Sequence, residues 1–371
     1  MHSRRLLFSK KTFRCEKLAN LVIFMNKIQT VLGEINREDI GVIAPHEHFF
    51  IDTTFEAQMP NTEEERIIFE QPVGINNIDI LRRNPFLVRD NMIVDDMETI
   101  VYEVNRFKKA GGNTIVDLTN IGIKRDLKRI REVSERTGVN VIAGCGLYTG
   151  LTIPKPYSEM NADELARWMI KEIREGDEET GIKPGVIGEI GTSETVEPME
   201  ATSLRAAAWA NLETKLPIYI HTYPWSRASL DAIKILTDEG VRPEQICICH
   251  LDVEFDEEYL EAVFDTGAYA MFDNFGKEYY FTAKDAVFSG GPFETDLDRV
   301  RMIIRIIKKG HTGRLMLATD VCLKSLLHSF GGWSFDHIFT NIVPMMENEG
   351  ILKEDIDTII NKNPTEFICS R

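Results

Sequence analysis

The feature that most constrains the fold is a regular alternation of short apolar runs with amphipathic segments. Runs such as 114–118 and 246–250 are apolar almost throughout, which is typical of parallel strands covered by helices. The predicted strands end near residues 48, 118, 143, 189, 221, 250, 272 and 320. Helices are predicted near 95–110 and over 124–137, 161–173, 199–214, 228–239, 256–265 and 296–309, with two terminal helices at about 335–348 and 353–361. Eight strand–helix units predict an α/β fold, the (β/α)8 TIM barrel.

A doubly wound open sheet is the alternative architecture for this alternation. No Gly-x-Gly-x-x-Gly follows the first strand, however, and the sequence contains no Walker-type loop. A length of 371 residues suits one large barrel. We therefore expect a single barrel domain over 27–371, preceded by a basic extension over 1–26 that is disordered or not native.

The charge of the chain is uneven. Residues 1–27 contain seven Lys or Arg and one acidic residue, whereas the remainder contains 36 basic and 58 acidic residues. A body this acidic repels phosphate backbones, so we expect no nucleic-acid partner. The basic head has the composition of a targeting segment. We favour the alternative that Met25 is the true start, so it is open whether residues 1–24 occur in the native protein.

The apolar runs and the cysteines indicate the cellular location expected for the protein. No apolar run approaches the roughly 20 residues that a membrane span requires, so we expect no membrane partner. The six cysteines show no disulfide-like spacing, which favours a reducing, cytoplasmic location. Cys247 and Cys249 lie within a predicted strand and are interpreted as a buried strand face.

The predicted strands share an unusual property, because most of them end in residue types that bind metals. His46 and His48 stand two apart and so face the same side of a strand. Catalytic groups of a barrel lie at the carboxyl ends of its strands. The candidates there are His46, His48, Glu189, His221, His250 and Asp320. Singly each has a structural explanation, but together they predict a metal site of imidazole and carboxylate ligands.

Candidates for substrate contacts are fewer. Lys277 follows the seventh strand, and Arg125 lies at the start of the helix predicted over 124–137; either could bind an anionic group, or be a solvated surface charge. Tyr148, after the third strand, could line a pocket or only pack. Asp252 could orient a ligand or carry a proton, or it could cap a loop. Specificity is expected in two long loops, 51–94 and 324–332.

Several motifs together resemble one known family. They lie at 29–33, 46–48, 122–126, 185–191, 250–252, 272–278, 331–332, 337, 340–344 and 363–364. Their order resembles the amidohydrolase superfamily, and their details resemble its phosphotriesterase-related branch, over about residues 27–369. Organophosphate-hydrolysing members carry a carboxylated lysine on the fourth strand, where this chain has Gly188-Glu189. The resemblance is therefore to the subgroup with a glutamate bridge, which requires an irregular backbone near Glu189.

The resemblance implies a mechanism with two divalent ions, zinc by preference and Mn2+, Co2+ or Fe2+ as alternatives. One ion would be held by His46, His48 and Asp320, the other by His221 and His250, with Glu189 bridging both. A hydroxide between the ions would attack the substrate, and Asp320 would accept the proton and pass it on.

The expected activity is hydrolysis of a small-molecule carbonyl substrate, either an N-acyl amide or a lactone. Phosphotriester or phosphate-ester hydrolysis is a second possibility, and the glutamate in place of lysine argues against it. A non-catalytic binding protein on a barrel scaffold is a third, opposed by the complete set of ligand positions. A homodimer is expected only because the resemblance to this family implies one.

Overall fold

The computed structural model describes residues 27–281 and 291–370, in which eight parallel strands form a nearly closed barrel. The strands of the described residues are β1 (Lys27–Thr30), β2 (Gly33–Asn36), β3 (Ile43–Glu47), β4 (Ile51–Asp52), β5 (Ile93–Val94), β6 (Thr114–Asp117), β7 (Asn140–Cys145), β8 (Val186–Gly191), β9 (Ile218–His221), β10 (Ile246–Ile248), β11 (Tyr269–Phe272) and β12 (Leu315–Leu317). The barrel strands are β3 and β6 to β12, each paired in parallel with the next. The predicted TIM barrel is confirmed, and the open-sheet alternative is excluded.

Helices surround the barrel and separate its strands. They are α1 (Glu63–Phe69), α2 (Ile78–Leu81), α3 (Met97–Lys109), α4 (Leu127–Thr137), α5 (Ala162–Glu175), α6 (Pro198–Thr214), α7 (Ala228–Asp238), α8 (Glu257–Asp265), α9 (Asp296–Lys308), α10 (Val343–Asn348), α11 (Lys353–Asp357) and α12 (Asn363–Ile368). No helix of the described segments is both long enough and apolar enough to cross a membrane. The predicted basic extension 1–26 lies outside those segments.

Local chemistry explains where the helices begin. Asn161 caps α5, and its side chain accepts a hydrogen bond from Glu164 N while the carboxylate of Glu164 accepts one from Asn161 N, the reciprocal arrangement called a capping box. The helix predicted from 124 begins later, at Leu127. Lys124 has a φ of +67°, which is incompatible with a right-handed helix, and Asp126 is the residue that caps it.

The carboxyl-terminal helices differ from the prediction, which placed continuous helices at 335–348 and 353–361. Wider, π-helical turns at Ile338–Ile342 and Thr358–Lys362 lead directly into α10 and α12. Each turn precedes a proline, Pro344 or Pro364. Proline lacks an amide hydrogen and its ring clashes with the preceding turn, so the regular hydrogen-bond ladder changes where each proline enters.

The long segment 51–94 is folded over the barrel. Its ends, β4 and β5, pair antiparallel, so the segment leaves and returns at one place. Between them lie α1, α2 and short 3-10 turns, including Thr54–Glu56. The segment is therefore held at its base while its middle can form a wall above the strand ends.

The barrel wall is tightest where β7 and β8 meet. A Cβ atom on Gly144 would lie 2.0 Å from the carbonyl oxygen of Gly188, a backbone atom that cannot turn aside. The register of β8 against β9 shifts between Ile187 and Ile190. The absence of a side chain at Gly144 is thus required for the backbone conformation that carries residue 189.

We predict that Gly144→Ala lowers the stability of the protein by about 1–3 kcal/mol, the usual cost of overpacking, and also weakens metal binding. The first effect is measured by urea denaturation and the second by metal analysis after dialysis. Gly313→Ala is the matched control, because a Cβ there meets no atom within 4 Å. Equal behaviour of the two variants would show that the contact with Gly188 is unimportant.

Candidate metal centre

The structure brings the six predicted side chains together at the carboxyl ends of the barrel strands. His46 lies in β3, Glu189 in β8, and His221 is the last residue of β9. His250 and Asp320 follow the ends of β10 and β12, and both have positive φ angles, +64° and +43°. The chain therefore bends at these two residues immediately beyond the strands, at the mouth of the barrel.

The first group of donors comprises His46, His48 and Asp320. The Nε2 atoms of the two histidines are 3.3 Å apart, and Asp320 Oδ1 lies 3.0 Å from His48 Nε2 and 3.6 Å from His46 Nε2. Donor atoms at this separation can share one ion. All three side chains are buried, so water does not compete freely for the position.

The second group comprises His221, His250 and Glu189. His221 Nδ1 lies 2.9 Å from His250 Nε2, while Glu189 Oε2 lies 3.4 Å from His250 Nε2 and 3.7 Å from His221 Nδ1. The same Oε2 is 3.5 Å from His46 Nε2, and Oε1 is 3.8 Å from His48 Nε2. The carboxylate of Glu189 therefore faces both groups.

The backbone explains how Glu189 reaches this position. The Gly188–Glu189 peptide bond is cis, and the register shift of β8 falls around these two residues. Asn120 donates a hydrogen bond from Nδ2 to the carbonyl oxygen of Glu189. The irregular backbone expected near Glu189 is present, and it places the carboxylate among the histidines.

A third possible group joins Cys249 to His46 and Glu189. Burial raises the pKa of the Cys249 thiol well above its usual value, and neighbouring Cys247 raises it further. Metals bind the thiolate rather than the thiol. We therefore assign the centre to imidazole and carboxylate donors.

Asp273, which the sequence analysis did not select, holds the histidines of both groups. Its Oδ2 lies 2.9 Å from His46 Nδ1, and its Oδ1 lies 2.9 Å from His250 Nδ1. These contacts place a proton on each Nδ1 and leave each Nε2 free to bind an ion. Asp273 directly follows β11, so the strand-end criterion that selected the candidate metal donors would have found it as well.

Glu47 is a second residue that the sequence analysis did not select. It lies between the two histidines, points to the opposite side of β3, and accepts hydrogen bonds from Thr319 Oγ1 and N and from Val321 N. These two residues flank Asp320. Glu47 thus ties the first barrel strand to the loop that carries Asp320. Burial raises the pKa of its carboxyl to about 7.

The buried carboxylates of the centre favour positive charge on the groups beside them. Burial opposes protonation of His250, yet Asp273 and Glu189 raise the pKa of that imidazole to about 10. His46 behaves similarly: burial lowers its pKa, but the carboxylates of Glu189 and Asp320 raise it well above the usual value. The buried carboxylates thus require a cation, which in the protein alone is a proton.

The donor set fits divalent metal ions. Glu189 Oε2 is buried and forms no hydrogen bond with any described residue, a costly state for a carboxylate oxygen unless a cation lies beside it. Four imidazoles with two carboxylates suit zinc, and also manganese, cobalt or iron. The chemistry of the residues present is therefore that of a metal site.

A cavity of about 810 Å³ opens above the donors. Its volume is typical of a small-molecule site. Segment 51–94 supplies one wall, with Phe55, Glu56 and Met59 among the lining residues. The loop 324–332, in contrast, does not line the cavity. It braces that wall instead, since Lys324 Nζ lies 2.5 Å from Asp90 Oδ1.

Two candidates for substrate contacts line the cavity. The hydroxyl of Tyr148 lies 3.0 Å from His221 Nδ1, beside the second donor group. The Nζ atom of Lys277 is buried, forms an ion pair with Asp320 Oδ2, and donates to Asn274 Oδ1 at 3.1 Å. Asp320 thus presents one oxygen to Lys277 and the other to His48. Substrate contacts of both candidates remain predictions.

Arg125 does not reach the cavity, which corrects the expectation of a substrate contact. Its guanidinium is buried, donates to the carbonyl oxygen of Gly144 at 2.9 Å and forms an ion pair with Glu172. Its position is determined by a buried carboxylate on α5, so the guanidinium lies away from the cavity.

Asp252 is a structural support rather than a ligand. It is completely buried, accepts from the backbone nitrogens of Asp273 and Asn274, and pairs with Arg299 at 2.9 Å. It therefore orients Asp273, which in turn orients His46 and His250. This arrangement is closer to the loop-capping interpretation than to a proton carrier.

Comparisons with known proteins agree with this geometry. The chain matches the model of the phosphotriesterase family over residues 26–368. An N-acetyltaurine hydrolase from Xenopus tropicalis is 33% identical over 346 residues, covering 92% of this chain and 97% of the relative. A phosphotriesterase-related protein from Nematostella vectensis is 33% identical over 344 residues, with the same two shares covered. Among solved structures, a resiniferatoxin-binding protein from Rhodobacter sphaeroides has a TM-score of 0.88 at 29% identity, covering 92% of this chain and 95% of that one.

We predict that Asp273→Asn weakens zinc binding by about 10- to 100-fold, because the amide cannot fix the protons of both histidines as the carboxylate does. Competition with a zinc-binding dye measures the affinity, and circular dichroism checks the fold. Asp79→Asn, at an exposed position, is the control. Unchanged affinity in Asp273→Asn would contradict the role assigned to Asp273.

Proposed function

The chain belongs to the phosphotriesterase family and is a hydrolase of that family, and from this premise we propose that it uses two metal ions to hydrolyse an N-acyl amide. One observation carries the proposal. Two groups of metal-binding side chains share the carboxylate of Glu189 at the floor of a cavity large enough for a small molecule. The amide is favoured because relatives that align over 97% of their length are named N-acetyltaurine hydrolases.

His46, His48 and Asp320 would hold one ion, His221 and His250 the other, and Glu189 would contact both. Zinc is the proposed metal, since the donors are nitrogen and oxygen in a buried site. When bound, two such ions polarise a carbonyl oxygen and lower the pKa of a water molecule.

Asp320 is the proposed proton carrier. Burial opposes its charge, but Lys277 and His46 hold the pKa of its carboxyl well below the usual value, so it is ionised at neutral pH. An ionised carboxylate at the floor of the cavity can accept a proton from the attacking water. It can then donate that proton to the nitrogen of the leaving amine, which completes hydrolysis of the amide bond.

Tyr148 and Lys277 are the proposed contacts at the edge of the centre. The hydroxyl of Tyr148 can donate to a carbonyl oxygen bound near His221. Lys277 keeps Asp320 ionised and oriented, through a contact on the oxygen that does not face His48.

The proposal is tested by a hydrolysis screen of the zinc-loaded protein with N-acyl amines, lactones and an aryl phosphotriester. Turnover of N-acyl compounds with two zinc ions per chain is the expected result. Preferred turnover of a lactone or a phosphotriester would replace the amide as the substrate class. A protein that binds no metal and turns over none of the compounds would overturn the proposal.

We predict that Glu189→Ala loses both ions and all measurable turnover while the barrel stays folded, because the residue contacts both donor groups but carries no part of the apolar core. Metal analysis, turnover and circular dichroism are measured on one preparation. Glu349→Ala, an exposed glutamate outside the cavity, is the matched control. Two ions per chain in Glu189→Ala would show that another group joins the two sites.

A further inference from the structure

The charges around the cavity are predominantly negative. Outside the metal donors, the described lining residues include three carboxylates, Glu56, Glu65 and Glu194. The basic lining residue within the described ranges is Lys277. Its ammonium group already pairs with Asp320 Oδ2, and because Asp320 faces His48 through Oδ1, metal binding by Asp320 leaves that pair in place. The described wall therefore offers no uncommitted cation to an anionic substrate.

Glu56 is the carboxylate best placed to meet a ligand. It ends the 3-10 turn Thr54–Glu56 and is partly buried at the cavity wall. Its carboxylate forms no hydrogen bond or ion pair with any residue of the described parts, although its backbone nitrogen bonds to Thr53. Burial, with the charge of Asp320, raises the pKa of Glu56 to about 7. A cationic ligand group would supply the counter-charge that the carboxylate lacks.

Aromatic side chains form a further part of the wall. Rings of Trp225 and Phe293 pack edge to face at 5.5 Å, and Tyr279 adds a further ring 5.3 Å from Phe293. Phe55 packs at 6.0 Å from Tyr148 near the metal donors. Aromatic faces bind apolar groups and also attract cations.

The rim of the cavity exposes apolar side chains to solvent. Leu151 is 94% exposed, Met59 67% and Phe55 46%, and all three line the cavity. A small polar ligand would leave them uncovered, whereas a larger apolar ligand would remove part of their surface from water.

We propose that the substrate of this chain is an N-acyl amide with a bulky apolar acyl group and a positive charge on its amine portion, and that Glu56 selects that charge. The inference rests on the proposed amide hydrolysis and specifies its substrate class. It distinguishes this chain from relatives named for N-acetyltaurine, whose amine portion ends in a sulfonate anion. The net charge of −16 points the same way, since it attracts cations and repels anions.

Three substrates with the same scissile amide test the proposal. Each carries a 3-phenylpropanoyl group, on 2-(trimethylammonio)ethylamine, on its uncharged isostere 3,3-dimethylbutylamine, or on taurine. We expect kcat/KM of the zinc-loaded enzyme to be highest for the cation and at least about tenfold lower for the sulfonate, as expected for a partly desolvated charge contact. An equal or higher kcat/KM for the sulfonate would overturn the proposal.

The role of Glu56 is tested by Glu56→Gln, with Glu349→Gln as the control outside the cavity. We expect the cation-to-sulfonate ratio to fall about tenfold or more in Glu56→Gln and to stay unchanged in the control. An unchanged ratio in Glu56→Gln would overturn the assignment to that residue. If Glu56→Gln does not fold, Glu194→Gln tests whether negative charge on the cavity wall selects the cation. A reduced cation-to-sulfonate ratio of kcat/KM supports the proposal, and an unchanged ratio contradicts it.

Binding measurements separate failure of this inference from failure of the proposed function. If no compound is hydrolysed although two zinc ions are bound, amide hydrolysis is overturned. The affinities of the same three compounds, measured by calorimetry, then test the charge preference independently of turnover. Hydrolysis of all three at equal rates would leave the amide hydrolase in place and overturn only the inferred substrate class.

Discussion

The arrangement of the centre depends on one carboxylate, Asp273, which binds a histidine of each donor group. Because His46 and His250 come from strands on different parts of the barrel, their rings have a fixed separation only if a common partner holds both. Asp273 provides that partner; its backbone nitrogen donates to Asp252, which in turn pairs with Arg299. A chain of buried charges thus extends from the outer helix α9 to the donor atoms, and its cost is offset because each charge in it has a partner.

The fold was predictable from the sequence because the barrel strands are largely apolar runs and several helices carry their own start signal. Asn161 with Glu164 is one example, and the outcome matches it. The helix starts and ends were less predictable where a single residue altered the backbone. Lys124 with positive φ delays α4, and Pro344 and Pro364 follow π-helical turns, effects that a hydrophobic pattern does not record.

The site was predictable only in part, for a related reason. Strand ends identify which residues face the barrel mouth, so His46, His221 and Asp320 could be named from position alone. Long side chains are harder, because their direction depends on partners distant in sequence. Arg125 turns inward to Glu172, away from the cavity. Asp273 directly follows β11 and met the strand-end criterion, but only its two histidine contacts show its role. Glu189 needed an irregular backbone that strand alternation alone excludes.

Glu47 joins the first barrel strand to residues around Asp320. The barrel seam, where the first barrel strand β3 meets the last strand β12, therefore lies at the candidate metal centre. The two ends of the ligand set are 274 residues apart in the chain. During synthesis, His46 leaves the ribosome long before Asp320 does. A nascent chain therefore presents two histidines and an unfinished seam for most of its translation, and the complete donor set exists only after the last strand has docked. An ion that needs all of these donors can therefore bind only once the barrel has closed.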